Sequence, residues 1–550
     1  MSNNLLNIAM SGINSANTAM STIGNNISSS KVDGYKRQTA IMSANNGLKT
    51  ADGYLGTGAH ISKIQREYDS LIDKQYNKSL SNLGMSEVFF QQSQQISKLF
   101  AESDSDINSQ LNQFFKSIAT LSGNAGDQTS RLQVLNDGED LVNRFKFMDN
   151  QLTEEERNSN ERVTDYADQV STLASQIAKL NHDIFNAKSA NSIEPFDMLN
   201  QREIFIHDLS RLVEVKNEEV DGFINLSLSN GMDLVYQDKN IDLVAFNSNS
   251  DSSKVIVGVK NDLGVVKELT LAALGSGKIV GELKYRNQVI DSANNQLNQT
   301  ALIFAESMNQ VHKKGFDLNN AAGIDMFTYG QPEIIANSKN SREDHFTVTF
   351  DTSKIGDVQA SEYTITRKGS DWEINRLSDN TQIHPHILAS GNFEFDGLVV
   401  TPPTRPLSQE GDSYQLITVQ NAIPDLKLNI ISPDKIAAKA NRNNGADNAQ
   451  NLNEIFNLQQ EHRINGKKSF AESLISLSTS VGDKANKASS DYTNKLAITK
   501  SLFAKQESIS GVNLDEEYLE LNTILQYYQA NAKVLATANQ LFDILINNLK

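Results

Sequence analysis

Residues 514–549, LDEEYLELNTILQYYQANAKVLATANQLFDILINNL, space their apolar side chains in alternating steps of four and three: Leu514, Tyr518, Leu521, Leu525, Tyr528, Ala532, Leu535, Asn539, Phe542, Ile546 and Leu549. That alternation keeps one stripe of a helix turned towards one partner, as in a coiled coil. Asn539, the polar member of the stripe, is expected to fix register at some cost in stability. Ser510-Gly511 marks a break just before the helix.

The other end of the chain matches. Leu6, Ala9, Ile13, Ala16, Met20, Ile23 and Ile27 step by three and four, and the opposite face is Asn and Ser. These Asn are poor helix formers, and the face lacks the Glu/Lys pairs that support a freely solvated helix. A handful of large apolar side chains cannot offset the backbone entropy of ordering such a segment. The first helix is therefore predicted to need a partner helix and neighbouring subunits. Chain ends are usually the least ordered parts of a protein, so paired seams at both extremes predict segments that polymerise.

Between the ends the period changes several times. Residues 66–190 read as long helices. Val163, Tyr166, Val170, Leu173, Ile177, Leu180 and Ile184 form a third seam, and Glu154–Glu156 read as an acidic helix start or solvated face. Pro195 ends that pattern. Residues 211–275 alternate with period two, and Asn230-Gly231 predicts a two-residue hairpin. Residues 278–312 return to helix. Seven of the 8 prolines fall within 330–434, where Phe346–Phe350, Tyr363–Ile365, Trp372–Ile374, Phe393–Phe395 and Tyr414–Val419 read as strands.

The predicted fold class is mixed α and β, multidomain. Long terminal helices form a coiled-coil axial domain, and a central helical bundle carries a β insertion and an outer β domain. The expected segments are 1–65 (N-terminal axial helix and the segment after it), 66–210 (bundle, first part), 211–275 (β insertion), 276–329 (bundle, second part), 330–434 (outer β domain), 435–510 (helical return, with a loop near 443–447) and 511–550 (C-terminal axial helix).

Composition narrows the function. A chain of 550 residues exceeds one core. Its net charge of -17, without a basic stripe, opposes nucleic-acid binding. No run approaches the roughly 18 apolar residues of a membrane span. There is no cysteine, so disulfides and thiolate chemistry are excluded. Residues 1–30 hold no Asp, Glu, Lys or Arg and do not fit a cleaved secretory signal. Export, if it occurs, is expected by another route.

Catalytic, cofactor and metal signatures fail on inspection. Gly275-Ser276-Gly277-Lys278 has Ala272 and Ile279 where a phosphate loop needs Gly and Ser or Thr. His384-Pro385-His386 reads as a surface turn. Glu516-Glu517 is accounted for by the dipole of a helix start. Tyr527 and Tyr528 read as packing residues. No enzyme activity and no cofactor is expected.

Three stretches are specific. Asn25-Asn26-Ile27-Ser28 followed by Gly34-Tyr35-Lys36-Arg37-Gln38 resembles the N-terminal signature of bacterial flagellar axial proteins (rod, hook and hook-associated), with Asp33 where Pro is common. Gly34 still supplies a positive φ there. Gly56-Thr57-Gly58, then Arg66-Glu67-Tyr68-Asp69, is similar to a segment of the first hook-associated protein family. Ser510–Glu517 with Tyr528–Val534 resembles the C-terminal helix of hook and hook-associated proteins. Weaker likeness covers Leu199–Glu203 and Gly277, Lys278, Gly281 and Arg286.

The resemblance implies a hook–filament junction subunit, exported unfolded through the flagellar type III route and assembled as a homo-oligomeric ring. Its implied partners are the hook protein, the next junction protein and an export chaperone on the C-terminal helix, with no nucleic acid and no membrane. Expected assembly residues are Leu6, Ile13, Met20, Ile23, Asn26, Ile27, Gly34, Tyr35, Arg66, Asp69, Leu514, Leu521, Leu525, Tyr528, Leu535, Asn539, Phe542 and Ile546. The alternatives are the hook protein or another axial protein and, more distantly, a flagellum-exported enzyme or adhesin. A helical 70–190 favours the junction family over the hook.

Overall fold

The computed structural model describes residues 2–50, 53–101, 106–191, 194–260, 264–342 and 344–548. Helix α1 (Ser2–Ser29) is followed by antiparallel strands Gln38–Ala44 and Ala59–Arg66 that lie along it, linked through a small hairpin, Leu48–Thr50 with Gly53–Leu55. The sequence pattern carries little strand signal here. The ribbon is only half covered, and a register shift between Ile41 and Met42 breaks the alternation.

Four helices build the bundle: α2 (Ser70–Ala101), α3 (Ile107–Ser122), the 64-residue α4 (Gln128–Asn191) and α5 (Phe196–Leu212). Pro195 stands just ahead of α5, where a missing N–H costs nothing. Val163, Val170, Ile177 and Ile184 of the third seam are fully buried. Glu154–Glu156 are not a helix start, and only Glu154 of the three is solvated. They lie in the middle of α4, where Glu155 is buried and bonded to Arg162 at 2.7 Å.

The β insertion forms two antiparallel sheets. One runs Val215–Val220, Phe223–Leu228, Asp233–Tyr236 and Lys239–Asn240; the other places Val255–Lys260 between Leu243–Asn247 and Val266–Glu268. The Asn230-Gly231 turn is wider than two residues. The Leu228 N–H reaches the Met232 carbonyl, and the Asn230 side chain accepts the Met232 N–H at 3.0 Å, a local bond that lengthens the turn. Leu226, Leu228, Leu234, Val235 and Val257 pack on the far half of α4 to make a second core.

The chain re-enters the bundle through α6 (Leu271–Leu274), α7 (Lys278–Tyr285), a π turn at Arg286–Ile290, and α8 (Asp291–His312). Helix α8 is buried on nearly every side, polar residues such as Asn298, Gln299 and Asn309 included, and these side chains find buried hydrogen-bond partners. Gly277 takes φ +111, and a Cβ there would lie 2.4 Å from the Leu212 carbonyl oxygen, so only glycine fits.

The outer β layer has a five-stranded sheet in the order Glu333–Ala336, Ser413–Ile417, Tyr363–Lys368, Asp371–Arg376, Thr381–Ile383. A four-stranded sheet runs in the order Thr347–Phe350, Leu398–Thr401, Phe393–Phe395, His386–Ile387. Its inner residues join the bundle in one continuous core around Phe304.

The return segment is less helical than expected. Only α9 (Gln450–Asn457) and α10 (Phe470–Ser510) are α-helix within 435–510. Asn- and Gly-rich turns occupy 441–448, and the buried backbone before them bonds outward instead, Phe316 and Lys439 exchanging hydrogen bonds. A capping box, Ser469 with Glu472, starts α10. Helix α10 packs along α2, and α11 (Leu514–Asn548) returns to α1.

Phe304 meets Phe115, Phe114, Phe327 and Phe470 at ring centroid separations of 6.3, 5.9, 5.4 and 5.5 Å. Phe304→Ala is expected to cost about 3–5 kcal/mol in urea unfolding of the bundle. A cost below about 1 kcal/mol would contradict a shared core.

Candidate assembly surface and its elbow

Helices α1 and α11 pack antiparallel. Asn26 lies beside Glu517 and Gly12 beside Asn531, and equal spacings on the two helices separate these contacts, so the register is one to one. Small residues make the approach possible. Ala9, Gly12, Ser15, Ala16 and Ala19 are all buried, and a Cβ on Gly12 would fall 2.4 Å from the Asn531 side-chain oxygen. Of the expected α1 residues, Ile23 and Asn26 are buried, whereas Leu6, Ile13, Met20 and Ile27 are half-covered.

The C-terminal seam divides in two. Leu521, Tyr528 and Leu535 are half-buried beside the covered positions Glu517 and Ala538. Leu514, Leu525 (38% exposed), Phe542 and Ile546 face outward, with Tyr518 at 57%. Asn539 is exposed too, so it does not set the register of this pair. Asn531, opposite Gly12, is a polar residue on the covered side, as is Glu517. Leu549 lies outside the described residues. A four-three spacing contains two adjacent stripes, and only tertiary contact decides which one meets the partner within the chain.

At the foot of the pair the chain turns through an elbow. Gly34 takes φ +72, and a Cβ there would sit 2.6 Å from Ile204. Asn26 Nδ2 donates to the Gln38 carbonyl at 2.8 Å and to Glu517 at 2.9 Å, while its Oδ1 accepts from Gln38 N–H at 3.0 Å and from the Tyr35 hydroxyl at 2.9 Å. Burial, with Asp197 and Glu517 nearby, pushes the Tyr35 phenol up to about 12, so it stays a donor. Glu517 has a fully buried side chain, and Arg37 Nε reaches its other oxygen at 2.7 Å. The Arg37 guanidinium also meets Glu520 at 3.1 Å, and its backbone N–H bonds the Ser510 carbonyl at 2.8 Å.

A second polar knot joins the elbow to the bundle. Lys36 and Arg66 hold the two oxygens of Glu203 at 3.2 and 3.0 Å, and Arg66 also reaches Asn200 at 2.9 Å and lies over the Tyr68 ring. Asp73 accepts from Tyr68, Asn77 and Gln506 and pairs with His207 at 2.8 Å. Asp69 caps α2 by accepting the Leu71 and Ile72 N–H groups. Asp73, Glu203 and His207 place ligand-type atoms within 4.8 Å of one another. Lys36 and Arg66 already neutralise Glu203, and the donors around Asp73 are engaged, so the knot reads as a strut.

Five expected residues, Asn26, Gly34, Tyr35, Arg66 and Asp69, thus converge on the elbow. Sequence reasoning missed Lys36, Arg37, Glu203 and Glu517 as partners. Their charges were visible, but nothing in one sequence pairs positions 480 apart. Arg37→Ala leaves a buried carboxylate without its cation and is expected to favour opening of α1 from α11 by on the order of 3 kcal/mol. Hydrogen exchange of the α1 amides reads this, and unchanged exchange would contradict the clamp.

Residues 93–327 match the model of the flagellar hook-associated protein FlgK helical domain, 335–418 that of the flagellar hook-associated protein 1 D2-like domain, and 507–549 that of the flagellar basal body rod FlgEFG protein C-terminal family. Flagellar hook-associated protein 1 of Salmonella typhimurium is 35% identical over 554 residues, covering 99% of both chains. That of Escherichia coli is 35% identical over 546 residues, again 99% of each. The flagellar hook junction protein FlgK from Burkholderia pseudomallei superposes with a TM-score of 0.74 at 18% identity, over 80% of this chain and all of that one, a likeness of fold. On full-length identity, three family matches and the shared architecture, this chain belongs to the flagellar hook-associated protein 1 family, a family of structural flagellar proteins.

Proposed function

We propose that this protein is the subunit that joins hook to filament. It is exported unfolded through the flagellar type III route and assembles as a homo-oligomeric ring between the hook protein and the next junction protein. The observation that carries this is the divided stripe of α11. One side is satisfied by α1 within the chain, and Leu514, Tyr518, Leu525, Phe542 and Ile546 keep much of their surface exposed. Burying such side chains contributes about 1.5–3 kcal/mol each, which favours contact with adjoining copies in a coiled-coil axial layer. Before assembly the same stripe is the surface an export chaperone would hold. The bundle and outer β layer face outward in this reading. In this reading the subunit acts by packing, without catalysis, which fits its likeness to flagellar hook-associated proteins. The helices Ser70–Ala101, Ile107–Ser122 and Gln128–Asn191 support the junction role over the hook alternative.

Tyr518→Asp with Leu525→Asp is expected to leave the monomer's melting temperature within a few degrees, because both side chains already face water. Cells carrying the pair should make hooks without filaments and fail to swim. Normal motility would contradict the role given to this stripe. Deleting residues 511–550 should block incorporation altogether, and a deletion mutant that still decorates hooks would count equally against it.

A further inference from the structure

Lys254 stands where three parts of the fold meet. Its Nζ lies 2.9 Å from Asp291 at the start of α8, 3.6 Å from Glu362 of the outer β layer and 3.8 Å from Asp251 of its own loop in the β insertion. Asp251 and Glu362 are buried. Glu156, on α4, faces Asp291, Lys254, Arg286 and Asp251, and its Oε1 has no hydrogen-bond partner. Arg286 spends its guanidinium on Asn160 at 2.7 Å and the Val255 carbonyl at 2.6 Å, which leaves its Nε without a partner. The amides of Gln415 and Gln420 bond to Glu362. The same loop touches the outer layer through backbone and side chain, Ser338 donating to Asn249 at 2.9 and 3.0 Å.

Four carboxylates, Glu156, Asp251, Asp291 and Glu362, therefore share two cations, Lys254 and Arg286, in a site with little water. A surplus of buried negative charge is relieved most cheaply by neutralising the carboxylate that has an empty oxygen. We propose that this joint is a proton-linked latch: the contact between the β insertion, the bundle and the outer β layer tightens when Glu156 takes up a proton and loosens when it ionises. No step of this depends on the assembly role.

The direction of the effect follows from the surroundings. Burial first, then Asp291 and Asp251, push Glu156 up to about 7 against the pull of Lys254 and Arg286. Burial likewise raises Glu362. A carboxyl raised in the closed joint binds a proton on closing. Its contribution is complete below the ordinary carboxylate value and is lost as pH rises through about 7.

The test is hydrogen exchange of the full chain at pH 6 and pH 8, corrected for intrinsic rates and read on peptides spanning 248–255 and 337–342. The joint is expected to open about ten-fold less often at pH 6. Glu156→Gln should be protected at both pH values with no step. Asp291→Asn, which removes a repelling neighbour, should move the midpoint of the step to lower pH. Equal protection of the wild-type joint at the two pH values overturns the proposal, as does a full step in Glu156→Gln. Should that variant fail to fold, a midpoint unmoved by Asp291→Asn overturns it instead.

Discussion

A carboxylate with no access to water, Glu517, holds the two ends of this chain together. Burying it is costly unless each oxygen finds a donor. Arg37 and Asn26 supply those donors at 2.7 and 2.9 Å. The first 30 residues carry no charged side chain, so α1 meets Glu517 with a neutral donor, the Asn26 amide, and the cation comes from Arg37, just ahead of the first strand. That requirement ties the helix, the turn at Gly34 and the start of the ribbon into one unit. The charge thus sets where α11 begins to pair and which residue of α1 it faces.

The rest of the architecture hangs from that unit. Arg37 bonds the last carbonyl of α10, and its neighbour Lys36 reaches Glu203 on α5, so consecutive residues grip the α1–α11 pair and the bundle. Rotation of one against the other would strip a buried ion pair from Glu203 or Glu517. Alanine and glycine line the covered face of α1 and bring the helices close, and the large side chains of α11 divide between that contact (Leu521, Tyr528, Leu535) and the exposed side (Leu514, Tyr518, Leu525).

Much of this was legible in the residues. Regular four-three spacing marked α1, the far half of α4 and α11, and Pro195 marked a boundary that the structure keeps. Strict alternation located the Tyr363–Arg376 hairpin and the strand at Thr347–Phe350. What stayed hidden has physical causes. The Gln38–Arg66 ribbon is half-covered and irregular in register, so its alternation is blurred. Glu155 and Glu156 look like a solvated acidic face until Arg162 reaches back along the same helix and Arg286 and Lys254 arrive from distant segments. The seam of α11 could be read but not divided, because a heptad pattern does not say which of its two edges meets a partner in the same chain. The candidate elbow was half visible: Asn26, Gly34, Tyr35, Arg66 and Asp69 stood out as motif residues, whereas their ionic partners lie hundreds of positions away.

The absence of cysteine makes the pairing of the ends directly measurable. Gly12→Cys combined with Asn531→Cys introduces only two thiols, at a point of close approach between α1 and α11. Mild oxidation of the monomeric protein should close a cross-link within one chain and yield a faster-migrating species at any protein concentration. If the thiols stay free in the monomer, or join only between chains, the antiparallel pair clamped by Glu517 is not how the ends of this protein are held.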